Sequence, residues 1–113
     1  MTSQGTPGGR FSRALKQRNL WGAEMALREM KQPSLLILLD YLGLLADVKP
    51  EKLPLAALRW HGRLELEASA LTFADSQLAL AALGSLCVGD REALVLLRGL
   101  LHRSQPLLVP RAE

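Results

Sequence analysis

The sequence predicts an all-α domain, a single bundle of five to six antiparallel helices, and three observations carry that expectation. Leucine occurs 27 times and alanine 14 times in 113 residues, against four valines and one isoleucine. Leu and Ala lose little or no rotamer freedom in a helix, and the β-branched residues that favour strands are nearly missing. The five aromatics, Phe11, Trp21, Tyr41, Trp60 and Phe73, are too few to build a β-sandwich core. From Arg10 onward the apolar residues recur at helical spacing.

Residues 1–9 hold three glycines and a proline without periodic apolar residues, so they read as a disordered leader ahead of a bundle spanning residues 10–104. Phe11, Ala14 and Leu15 form the apolar stripe of a first, basic helix. Asn19 caps a second helix running to Lys31, with Leu20, Ala23, Leu27 and Met30 inward and Glu24–Arg28 as an i,i+4 pair. Pro33 ends it, and Ser34 or Gln32 caps a third helix to Ala46 that is apolar on every side except at Asp40. A helix without a polar face must be covered on most sides, which places it at the centre of the bundle. Asp40 then needs a partner, within the chain or on another one.

The segment from Asp47 to Lys52 is a polar connection that holds at most a short turn. A fourth helix follows from about Pro54 to Leu71, with Ala57, Trp60, Leu64, Ala68 and Leu71 inward. A fifth, Phe73 to Cys87, is capped by Thr72 or Asp75, and a sixth runs from Arg91 to about Arg103. Between them Gly89 suits a left-handed C-cap and Asp90 an N-cap. Residues 105–113 form a proline-containing tail. The paired helices are compatible with a HEAT-like stack.

Several function classes drop out. One cysteine, Cys87, makes neither an intrachain disulfide nor a thiolate metal cluster, and on an apolar helix face it reads as a small hydrophobe. His61 and His102 are the only histidines, so no metal-ligand set is expected. No catalytic signature or phosphate-binding glycine loop is present, and the expectation is a protein that is not an enzyme and carries no cofactor. The longest apolar stretch, Leu35 to Ala46, is about two-thirds of the ~20 residues a membrane span needs.

The charge is uneven. The chain carries +3 overall, yet residues 1–23, with Arg10, Arg13, Lys16 and Arg18 and no acid, carry +4 and the remainder −1. Such a helix suits an acidic protein surface, tubulin tails, nucleic acid or an anionic membrane, and it is also similar to a mitochondrial presequence. Nucleic acid is disfavoured, because the rest of the domain is slightly acidic and the aromatics are few. A second basic stripe comprises Arg91, Arg98 and His102 around Val95. On the fourth helix Arg59 and Arg63 flank Leu66, with Leu55 on the same side, and this is the expected place for a helix-in-groove contact.

The run from Arg18 to Met30, with Arg18-Asn19 ahead of Gly22-Ala23 and Ala26-Leu27-Arg28, resembles the C-terminal helical domain of the katanin regulatory subunit, the non-catalytic partner of a microtubule-severing ATPase. The serine-initiated apolar helix from Ser34, the leucine-rich stretch Leu64 to Asp75 and Leu78 to Leu83 are similar in order and spacing, so the likeness covers about residues 13–88. The sequence departs from the family where Leu15 stands in place of a tryptophan and where the acid of the third helix is shifted to Asp40. The resemblance implies an all-α domain that binds the catalytic subunit and adds basic residues to a microtubule contact. It assigns partner binding to the segment Arg18 to Arg28, Trp21 included, and to Arg59 and Arg63. The expected function is thus a non-enzymatic interaction module, cytoplasmic and cytoskeletal. The alternative is a small mitochondrial protein with a basic targeting helix.

Overall fold

The computed structural model describes residues 5–104, and its regular structure is six α-helices with one 3-10 turn. They are α1 (Pro7–Lys16), α2 (Leu20–Glu29), α3 (Leu35–Val48), α4 (Leu53–Glu67), α5 (Phe73–Cys87) and α6 (Ala93–Ser104), with the 3-10 turn at Pro50–Lys52 before α4. The all-α expectation holds. Residues 1–4 and the tail 105–113 lie outside the described residues.

Side-chain caps set most of the starts. Asn19, Ser34 and Thr72 each accept a hydrogen bond from the backbone N–H three residues on, and Thr72 forms a reciprocal capping box with Asp75. Thr6 does the same for Gly9, so α1 begins at Pro7 and residues 7–9 belong to the helix, a correction to the boundary of the leader. Proline at the first helical position gives up an N–H that would have no partner there anyway. Two helices end earlier than their apolar periodicity suggests. α2 stops at Glu29 because Met30 is extended, and α4 stops at Glu67 because Ala68 is extended, leaving Leu71 to pack on the core from a turn.

Two C-termini close with the left-handed motif in which paired N–H groups return to the last turn. After α5, Gly89 takes φ +102° and the N–H groups of Gly89 and Asp90 bond the carbonyls of Leu86 and Ser85, as the sequence expects. After α1 the same pair of bonds runs from Arg18 and Asn19 to Leu15 and Ala14, but the left-handed residue is Arg18, at φ 56°. Glycine would be the easier choice there.

α3 to α6 form an antiparallel ring in which each helix packs on its neighbours and α6 returns to α3. That is the pairing of an up-and-down four-helix bundle and differs from a side-by-side stack of helix pairs. Leu39, Leu42, Leu45, Leu53, Leu64, Leu86, Leu97 and Leu100 are the largest fully buried side chains and fill the ring. The α1–α2 hairpin packs across the other side of α3, where Phe11, Ala14, Ala23 and Ala26 bury against Leu44. α3 therefore serves two cores at once, and its lack of a polar face follows from that.

The polar exceptions on α3 are tied within the chain. Arg98 of α6 pairs with Asp40, and Arg91 pairs with Asp47, which Arg18 also approaches at 3.4 Å. The carboxylate on the apolar helix is thus satisfied internally. Two of the three basic residues of the second stripe, Arg91 and Arg98, are engaged in holding α6 and the turn before it against α3. Gly43 lies in that contact, where a β-carbon would meet Leu94 at 3.1 Å.

Candidate interaction groove

α2 and α4 stand apart on one side of α3 and leave an open groove of about 670 Å³ between them. Its floor is Leu38, Tyr41 and Leu42 of α3; Leu27 lines one wall, and Leu55, Ala56 and Trp60 line the other. Trp60 is buried and its Nε1 donates to the Leu35 carbonyl at 2.9 Å, which fixes the angle between α3 and α4 and so the width of the groove. Arg63 braces the same junction, donating to the Pro33 carbonyl at 2.7 Å and to Glu67 at 2.5 Å.

A three-membered network spans one end. Glu24 of α2 accepts from the Tyr41 hydroxyl at 2.6 Å and from Lys52 Nζ at 2.7 Å. The Lys52 hydrogen bond, then that of Tyr41, holds the Glu24 carboxyl below its ordinary range. Burial, then the carboxylate accepting its proton, pushes the Tyr41 phenol up. Glu24 is therefore anionic and engaged by both donors; it makes no direct ion pair with Arg28, although the nearby Arg28 charge helps to lower its carboxyl, as the i,i+4 spacing expects.

That leaves Arg28 on the α2 wall and Arg59 on the α4 wall, both exposed and without an ion-pair partner among the described residues. The cations lining the groove are Arg28, Lys52, Arg59 and Arg63, and the acids are Glu24 and Glu51. The arrangement is an apolar trough with, on each bank, a guanidinium that makes no direct ion pair among the described residues.

Of the residues singled out in the sequence, Arg28, Arg59 and Arg63 come together here, and Leu55 joins them. Leu66 does not; it is 87% exposed and outside the groove. Trp21 is 73% exposed on α2 and likewise does not line it. The four N-terminal cations are split. Arg10 pairs with Glu29 and Arg18 with Asp47, whereas Arg13 and Lys16 are exposed without an ion pair among the described residues. Sequence reasoning missed Glu24, Tyr41 and Lys52 as a unit, because they lie on three separate elements and no local spacing links them.

One other polar cluster, between α4 and α5, has the residue types of a nucleophile and base. Ser76 Oγ donates to Glu65 at 2.5 Å and lies 3.1 Å from His61 Nε2, which is also 3.1 Å from the Ser76 carbonyl oxygen. A carbonyl only accepts, so Nε2 carries the proton and donates to both Ser76 oxygens. In this geometry the imidazole presents no lone pair to the hydroxyl, and the cluster acts as a tether between helices. Among the described residues no group of three or more His, Cys, Asp or Glu could hold a metal ion, and no helix is long and apolar enough to cross a membrane. No family model, curated protein or solved structure matches the chain at a significant level.

Proposed function

We propose that the chain is a non-enzymatic interaction module that receives the apolar face of a partner helix in the α2–α3–α4 groove. The observation that carries this is the pairing of an apolar floor with exposed arginines on opposite walls that make no direct ion pair among the described residues. An amphipathic helix lying on Leu38, Tyr41 and Leu42 would bring flanking carboxylates within reach of Arg28 and Arg59. Arg13 and Lys16 add positive charge on α1 that steers encounter with an acidic surface.

The resemblance of residues 13–88 to the katanin regulatory domain supports a cytoskeletal partner, either the catalytic severing subunit or the microtubule itself. The mitochondrial alternative is less well supported, since Phe11 and Ala14 are buried in the hairpin core and processing near residues 20–30 would remove them. Calorimetric titration with the N-terminal helical domain of the severing subunit tests the reading. Binding is expected to be abolished by Leu55→Glu, and to weaken and lose salt dependence in Arg28→Glu/Arg59→Glu. No binding by the intact chain would eliminate the katanin partner. Binding that resists all groove changes but fails on reversal of Arg13 and Lys16 would move the site to α1.

A further inference from the structure

The two ends of the groove are unlike, and the hydrogen bonds along it fix which charges belong to which end. At one end Lys52, in the turn before α4, reaches across to Glu24 of α2, which also accepts from Tyr41. At the other, Trp60 and Arg63 of α4 donate to the Leu35 and Pro33 carbonyls at the start of α3. α2 and α4 therefore both run from the bridged end to the open end, and α3 runs back beneath them. Glu24 and Glu51 against Lys52 leave one negative charge at the bridged end. Arg28 lies one turn beyond Glu24 on α2, and Arg59 and Arg63 follow along α4. Set against Glu67, the partner of Arg63, these three leave two positive charges toward the open end. The apolar floor accepts a helix laid on it in either direction. The charged ends do not.

We infer that the groove takes its partner helix in one direction, an inference that rests on the groove reading above and adds a polarity to it. The Glu24–Lys52 bridge crosses the trough and acts as a stop. From Lys52 to Arg63 is about 16 Å of chain at ~1.5 Å per residue, so the seated segment has about three turns. Its N-terminus abuts the bridge. There its free N–H groups and a first-turn Lys or Arg meet Glu51, an exposed carboxylate with no direct ion pair among the described residues. Its last turn carries carboxylates that face Arg28 and Arg59, and the negative end of its dipole lies in the field of all three arginines. The partner thus runs parallel to α2 and α4. The dipoles of those two helices oppose that direction, with about half a charge at each terminus. The formal charges at the groove ends are larger, and they decide it.

Two peptides of one composition test the polarity. Each has about three turns, a leucine stripe for the floor, and side-chain staples that hold both equally helical. One carries Lys in the first turn and Glu in the last; the other has these charges exchanged. The second matches the groove charges only by lying backwards, against its own dipole. Fluorescence anisotropy with the full chain at low salt should give the first peptide at least about threefold tighter binding, with the gap closing as salt rises. In a chain with Cys87→Ser, a cysteine at that peptide's N-terminus should form a disulfide with Glu51→Cys and not with Lys31→Cys, beyond the open end. Adding one turn at the same N-terminus should weaken binding to the parent chain but not to Lys52→Ser, which lacks the bridge. Failure of both peptides to bind overturns the groove reading and this inference with it. Equal affinity of the two peptides, or disulfide formation at Lys31→Cys instead, overturns the polarity alone and leaves the groove as the binding site.

Discussion

Replacing Trp60 with phenylalanine probes the junction on which both the ring and the groove depend. Trp60 is 2% exposed, and its indole N–H meets the Leu35 carbonyl at 2.9 Å. Losing that buried hydrogen bond costs about 1 kcal/mol. The smaller ring leaves one edge of the site unfilled, at about another 1 kcal/mol if the neighbouring leucines relax only in part. The expected loss is therefore about 2 kcal/mol out of the ~5–15 kcal/mol typical of a domain. In a chain of this size that lowers Tm by about 10 °C. Urea denaturation followed by far-UV circular dichroism measures it, with Trp21→Phe as the control. Trp21 is 73% exposed, so its replacement should shift stability by less than about 0.5 kcal/mol. Equal effects of the two changes, or a Trp60→Phe protein as stable as the parent, would refute the assignment of Trp60 as the brace between α3 and α4.

Other outcomes follow from the same geometry. Glu24 titrates below its ordinary 4.5 in the folded chain, so its contribution is complete above that pH and is lost as pH falls through the lower folded value. Urea titrations between about pH 5 and pH 2 should show Glu24→Gln losing less stability on acidification than the parent. Tyr41 has the opposite sign: its contribution is complete below its ordinary 10.0 and fades as pH rises beyond it, which Tyr41→Phe should remove. The two left-handed helix ends should respond in opposite directions. Gly89→Ala places a β-carbon at φ +102° and should cost about 1–2 kcal/mol, whereas Arg18→Gly relieves φ 56° and should gain up to about 1 kcal/mol. Thermal melts of both variants decide it.

Most of the secondary structure was written locally. Leucine and alanine content, the caps at Asn19, Ser34 and Thr72 and the Gly89 stop act through neighbours a few residues away, so periodicity and cap chemistry sufficed to read them. The central place of α3 was legible for the same reason, because an apolar surface on every side admits few alternatives. Three partner-binding candidates also converged, since Arg59 and Arg63 share a face of α4 and Arg28 lies on the outer side of α2.

The sequence alone determined that this chain is helical, where most helices begin and stop, and which segment lies at the middle. Tertiary structure decided which charges are spoken for. Asp40 found Arg98 across 58 positions, Glu24 found Tyr41 and Lys52, and Arg10 found Glu29, while Arg28 and Arg59 were left without a direct ion pair on facing walls. Helical spacing ranks only partners three or four residues away. Coulombic and hydrogen-bonding preference is instead settled by whichever groups the packed ring brings within reach.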